Sequence, residues 1–293
     1  MKNIAVLGLG AMGSRLAGNL LDAGYRVNVY NRTARHSLAL EAKGAIPAAS
    51  PREACMQADI VIGMVTDDEA SRQLWTHAES GAIHGLRKGT VAVESSTLSP
   101  AWVRELSGAI GQRGAHFLDA PVLGSRPQAE AHQLVYLVGG EATALAEARE
   151  VLAANSAAIH HVGPAGAGAT LKLAANALFG IQVAALGEIL AILGGAGMDI
   201  AQTVELLGGF PVTSPALKRI ASLMATRSFT PNFPIHLVEK DFRYFVAMAS
   251  KGRGNQSLSS LAHDIYIQAI QEGYGNDDIA GISQSINRTS HSD

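Results

Sequence analysis

The sequence is poor in three things: it has one cysteine, Cys55, 5% aromatic residues and 16% charged ones, against about 25% charged in ordinary soluble chains. A lone cysteine makes no internal disulfide, and no Cys/His group has the spacing of a zinc site. A disulfide-stapled secreted scaffold and a zinc-held fold are therefore excluded, and a reducing, cytoplasmic setting is expected. Charge of one sign is also lacking, since 23 Lys and Arg stand against 25 Asp and Glu, a net of −2. Such a chain has no basic field to hold a nucleic-acid backbone or an anionic bilayer, so neither is expected as a partner. No apolar run reaches the ~20 uninterrupted residues of a spanning helix. Met1-Lys2-Asn3 passes straight into Ile4-Ala5-Val6-Leu7, without the length and cleavage site of a secretory signal, and is expected to open on a first strand.

What is plentiful is small and apolar: 47% hydrophobic residues and 31 glycines over 293 positions, long enough for about two domains. The first half alternates short β-branched runs (4–7, 27–30, 60–65, 91–94, 116–119, 134–138 and 159–162) with helical stretches, the pattern of βαβ units. Ser50-Pro51-Arg52-Glu53 and Ser99-Pro100 mark helix starts with a side-chain acceptor and proline in the first turn. Beyond about Gly166 the strand signal stops. The reading is an α/β chain: a Rossmann-type doubly wound sheet domain over 1–163, then an all-α domain over 164–293. The stretch 167–193 is apolar on more than one face, which points to packing against other helices and a second subunit, in a homodimer or homotetramer.

Gly8-Leu9-Gly10-Ala11-Met12-Gly13 satisfies G-x-G-x-x-G directly after a strand and at the mouth of a helix, the context that makes the motif specific for a dinucleotide. Gly8 permits the tight turn, Gly10 removes a Cβ from the path of the pyrophosphate, and Gly13 lets helix and strand approach. At the end of the second strand, where a carboxylate would take the ribose 2′-OH of NAD, stand Asn31-Arg32-Thr33. A 2′-phosphate suits this group and would be repelled by Asp or Glu, which points to NADP, with NADPH preferred over NADH. Met64-Val65-Thr66, ending the fourth strand if a short one near 45–48 is counted, faces the same crevice.

Lys172 and Asn176 lie four residues apart, on one face of one helix. Hydride addition to a carbonyl leaves an alkoxide that needs a proton, which a desolvated lysine ammonium both stabilises and supplies. Asn176 is suited to orient the carbonyl. Alone, the pair fits equally a lysine snorkelling from a buried helix and an asparagine satisfying a backbone group.

With Ser96-Thr97-Leu98-Ser99-Pro100 and Asp119-Ala120-Pro121-Val122 in order between the glycine turn and the Lys172/Asn176 helix, the chain resembles the β-hydroxyacid dehydrogenase superfamily from end to end. The resemblance implies Lys172 as catalytic acid/base, Asn176 as its orienting partner, and Thr97 and Lys240 near the nicotinamide end of the cofactor. It further implies a small carbonyl substrate bordered by residues 123–125, Phe233 and Asp241, and no metal. Arg32 and the Gly124-Ser125-Arg126 stretch look more like the NADPH-dependent glyoxylate/succinic semialdehyde reductase branch. Two positions depart from the family. Leu123 stands where a serine usually helps hold the substrate carboxylate, leaving Gly124 and Ser125 as its anchors, and a glycine usual a few residues later is absent from Glu130-Ala131-His132-Gln133. Leu123 suits an uncharged substrate, so the related imine reductases stay open as an alternative, although they resemble the plan with Asp or Tyr at the lysine position. A non-catalytic NADPH-binding regulator is a further alternative.

Overall fold

The computed structural model describes residues 2–249 and 257–289. Its strands are β1 Asn3–Leu7, β2 Arg26–Tyr30, β3 Ile46–Pro47, β4 Ile60–Gly63, β5 Val91–Glu94, β6 His116–Asp119, β7 Val122–Leu123, β8 Leu134–Gly140 and β9 Ser156–Gly163. The helices between and after them are α1 Gly13–Asp22, α2 Leu38–Glu41, α3 Pro51–Cys55, α4 Asp68–Thr76, α5 Pro100–Gly111, α6 Arg126–Glu130 and α7 Ala142–Ala153, then α8 Ala167–Gly195, α9 Ile200–Gly209, α10 Pro215–Ala225, α11 Ile235–Ala249, α12 Ser257–Gln271 and α13 Ile282–Thr289. By packing the chain forms two compact units, Met1–Lys172 and Leu173–Asp293, and the division falls inside α8.

In the first unit six parallel strands run in the order β3-β2-β1-β4-β5-β6, the doubly wound arrangement, and β8 adds antiparallel beside β6. Both faces of the sheet are covered. In β1, Ile4 and Val6 enter one apolar cluster while Ala5 and Leu7 enter the other, which is why this strand reads as an unbroken apolar run. The strand order reverses between β1 and β4, and the crevice at their carboxyl ends is where such sheets bind ligands. Expected as 60–65, β4 stops at Gly63: the Val65 N–H leaves the ladder to donate to Ser96 Oγ at 2.7 Å. Ser50 accepts from the Glu53 N–H, and Glu53 in turn accepts from Ala49 N–H rather than from Ser50, a capping box displaced by one residue.

Tyr136 of β8 is fully buried, and its hydroxyl has no partner among the described residues. Burial pushes its pKa up. Since an unpaired buried hydroxyl is a net cost, Tyr136→Phe is expected to leave denaturant stability unchanged or to raise it by about 1–2 kcal/mol. A loss above about 1 kcal/mol would show that the hydroxyl has a partner.

The described part of the second unit is helical. Its core gathers Val183, Ala184, Leu186 and Leu190 of α8 with Val238 and Phe242 of α11 and Tyr266 of α12. Gly180 is the point of closest approach: an added Cβ would stand 2.5 Å from the Phe242 ring, and Tyr266 donates its hydroxyl to the Gly180 carbonyl at 2.9 Å. Among the described residues α8 alone is long and apolar enough to cross a membrane, although the sequence has no uninterrupted run; Lys172, Asn176, Gln182 and Glu188 break it. Core side chains account for part of its apolar surplus, while Leu171, Leu178, Ile189 and Ile192 are exposed.

Candidate active site

Within the glycine turn the three glycines meet three different surroundings. A Cβ on Gly13 would stand 1.9 Å from the Gly8 carbonyl oxygen, and one on Gly8, whose φ is +93°, would stand 2.3 Å from the Met64 carbonyl oxygen; a Cβ on Gly10 would meet nothing within 4 Å. So Gly8 and Gly13 close the turn, while Gly10 opens it to solvent where a pyrophosphate would lie. The N–H groups of Ala11, Met12 and Gly13 have no acceptor among the described residues, as anion binding at a helix N-terminus requires. These features fit a dinucleotide.

Leu9 and Asn31 are tied to each other. The Asn31 side chain accepts the Leu9 N–H at 2.9 Å and donates to the Thr33 carbonyl at 3.0 Å, so both of its polar ends tie the turn to the end of β2. Arg32 and Thr33 are exposed beside it. Arg35 and His36, in a short 3-10 turn that sequence reading passed over, are exposed too.

At the carboxyl ends of β4 and β5 the half-buried Met64 and Val65 and the exposed Thr66 follow Gly63, and Thr97 follows Ser96. Beneath them lies a buried network that sequence reading missed. Glu94, fully buried, accepts from Ser96 N–H and hydroxyl on one oxygen and from Ser71 Oγ (2.8 Å) and Trp75 Nε1 (2.7 Å) on the other. Trp102 Nε1 donates to Ser71 Oγ. Burial raises the Glu94 pKa and its hydrogen bonds oppose that rise. Through Ser96 Oγ the network fixes the Val65 N–H, and with it the crevice wall.

Asp119 ends β6 and reaches the start of α8: Oδ1 accepts the Gly166 N–H and Oδ2 the Ala169 N–H, each at 2.8 Å. An added Cβ on Gly168 would stand 2.3 Å from the Leu137 carbonyl oxygen and 2.9 Å from Asp119 Oδ2. Helix and sheet touch backbone to backbone there. Lys172 lies one turn on from Gly168, on the same helix face, and is 8% exposed. Asn176 is a further turn along. In the second unit its Nδ2 donates to Asp241 Oδ2 at 2.6 Å, and Lys240 Nζ stands 3.2 Å from the other oxygen, Oδ1. Lys240 and Asp241 are both buried; as a lone charge Lys240 would more often be a surface residue. Phe233, half-buried, packs on the core of this unit, its N–H donated to Asp278 Oδ2. Among the described residues no group of three or more His, Cys, Asp or Glu is placed to hold a metal.

The family described as the NAD binding domain of 6-phosphogluconate dehydrogenase matches residues 3–163, and that described as the NAD-binding domain of NADP-dependent 3-hydroxyisobutyrate dehydrogenase matches 166–286. The NAD-dependent L-serine dehydrogenase of Pseudomonas aeruginosa is 32% identical, covering 99% of each chain. The chain belongs to the β-hydroxyacid dehydrogenase superfamily. It is also 32% identical to the 3-hydroxyisobutyrate dehydrogenase of the same organism over 91% of each chain. The solved 3-hydroxyisobutyrate dehydrogenase of Mycobacterium tuberculosis with L-serine is 28% identical, with a TM-score of 0.89 over 98% of this chain and 99% of that one. A nicotinamide-cofactor domain and an oxidoreductase activity of this family's kind follow.

The two departures from the superfamily's pattern have visible consequences. Leu123 ends β7, paired with Val135, and is half-buried; Gly124 has φ +109°. The Ser125 N–H, expected to help bind an anion, instead donates to Gln128 Oε1 at 3.0 Å and caps α6. Gly124 N–H and the Ser125 hydroxyl remain as polar groups of this loop. Within Glu130-Ala131-His132-Gln133, where a glycine is usual, His132 takes the left-handed conformation at φ +57° and places Nδ1 2.8 Å from the Ala154 carbonyl.

Proposed function

We propose that this chain is an NADPH-dependent reductase of a small aldehyde or keto acid, yielding the hydroxy acid, and that it also runs the reverse reaction. The observation that carries the reading is Lys172, a buried lysine one turn from the Asp119 anchor and one turn from an asparagine whose amide is held by Asp241. A bound nicotinamide dinucleotide supplies the hydride. Lys172 gives its proton to the carbonyl oxygen as negative charge develops there, and takes it back in the oxidative direction. Asn176, its amide orientation fixed by Asp241, hydrogen-bonds the same oxygen. Gly8, Gly10 and Gly13 shape the pyrophosphate seat with the N–H groups of Ala11 and Met12, while Val65 and Thr97 border the cofactor. The relatives' names, L-serine and 3-hydroxyisobutyrate dehydrogenase, favour a substrate with a carboxylate. It would lie at residues 123–125. The exposed helices of the second unit pair copies into a dimer or tetramer, and the enzyme is cytoplasmic.

NADP preference rests on Arg32 and Thr33, exposed with no carboxylate beside them, with Arg35 adding a second cation. Wild type is expected to oxidise NADPH at least tenfold more efficiently than NADH, and Arg32→Asp to reverse that order by placing a like charge against the 2′-phosphate. Loss of NADPH absorbance with glyoxylate, succinic semialdehyde, uncharged aldehydes and cyclic imines tests the substrate. Turnover of the carboxylated aldehydes supports the proposal. Turnover confined to uncharged carbonyls or imines rejects it and assigns Leu123 a redirected pocket.

A further inference from the structure

The loop assigned to the substrate has few ties of its own, and most of them lead to one helix. Arg15, at the start of α1, places Nε and Nη2 2.8 and 2.6 Å from Glu130 Oε1 at the end of α6. Its remaining nitrogen, Nη1, donates to the carbonyl of Ala11, in the middle of the dinucleotide turn, at 2.6 Å. One turn along α1, the buried Asn19 donates Nδ2 to the Ala129 carbonyl at 2.9 Å and to Asn155 Oδ1 at 3.0 Å. On its far side α6 is followed by His132, held on Ala154. With both ends of the loop fixed, its remaining contact of consequence is the guanidinium that touches turn and loop together.

An exposed ion pair of this kind contributes little to stability, and Glu130 is 59% exposed. The geometry points to another use. We propose that Arg15 is a positioning residue that couples the dinucleotide turn to residues 123–130, so that seating the cofactor's phosphates at Ala11 and Met12 sets the loop that receives the substrate. The planar guanidinium suits this because three of its donors are used in fixed directions, which a lysine does not reproduce. The inference rests on the reading that residues 123–125 hold the substrate.

Two readouts test it in the full-length protein. In the first, amide hydrogen exchange over residues 123–133 is expected to slow in wild type when NADPH is added, and to respond less in Arg15→Ala and Glu130→Gln at NADPH levels that saturate each protein. In the second, both substitutions are expected to raise substrate KM about tenfold, with kcat within about twofold and the NADPH dissociation constant, from fluorescence titration, within about threefold. The Arg15→Ala/Glu130→Gln double variant is expected to match the single ones rather than multiply them. Absence of NADPH-dependent protection in wild type, equal protection in the variants, or additive KM effects overturns the coupling. Leu123→Ala separates the two ideas: if it shifts KM and Arg15→Ala does not, the coupling alone fails. If neither shifts KM, the loop is not the substrate site and both fail.

Discussion

Lys172→Ala is expected to lower kcat for carbonyl reduction by about 10²- to 10⁴-fold, the range contributed by a positioned general acid, with NADPH binding kept within about threefold. The separation follows from where the residue stands. Lys172 is on α8, whereas the turn that seats the pyrophosphate is built by β1 and α1. The lysine is buried, so its removal is felt as the loss of a proton donor in a water-poor place and is not made good by solvent. Lys172→Arg retains the charge on a guanidinium that does not give up its proton in proteins, and should remain within tenfold of the alanine variant. Measuring kcat and the NADPH dissociation constant on the same preparations checks this, and near-normal turnover in Lys172→Ala would remove the lysine from the mechanism.

The second large effect belongs to Asp119. Burial pushes its carboxyl up from the ordinary 3.8 to about 6, against the opposing pull of the Gly166 and Ala169 N–H groups. The folded chain therefore holds this proton more tightly than the unfolded chain does. Stability from the group is complete below the unfolded value of 3.8, declines as pH rises, and is gone above about 6. A gap of about 2 pH units corresponds to about 3 kcal/mol. Asp119→Asn abolishes the titration and turns an amide NH₂ toward a backbone donor, which adds a pH-independent penalty of about 1–3 kcal/mol on top of the lost proton linkage. Between pH 4 and pH 7 wild type should lose about 2.4 kcal/mol relative to Asp119→Asn in denaturant unfolding. A difference that stays constant across that range would show that Asp119 does not titrate there.

Much of this was legible in the sequence because the signals are local. A turn whose glycines close on one another, a proline after a serine cap and a lysine one helical turn from an asparagine all lie within a few residues of each other. Their geometry follows from backbone rules. What escaped was long-range. Glu94 is bonded to Ser71 and Trp75 across the sheet's edge, Asp119 to amides 47 and 50 residues away, and Arg15 to a carboxylate 115 residues on. No spacing rule links such pairs. Nothing in the sequence gives Trp75 or Trp102 a functional role, because an indole N–H shows its purpose only when its acceptor is in place. Asn31 is a similar case: the sequence shows an asparagine at a strand end but not that its side chain accepts the Leu9 N–H and donates to the Thr33 carbonyl.

The division between the two packing units, one residue beyond Lys172, bears on how this chain exchanges parts with its relatives. The second family match begins at 166, yet residues up to Lys172 pack with the sheet and are anchored by Asp119. A chimera joined at 163–166 would set a foreign helix start on a carboxylate and on the bare backbone around Leu137 that admit only a glycine of the right register. Joined after 172, it would keep anchor and lysine from one parent. Recombination in such chains is thus constrained less by where a strand ends than by where the next helix is first held.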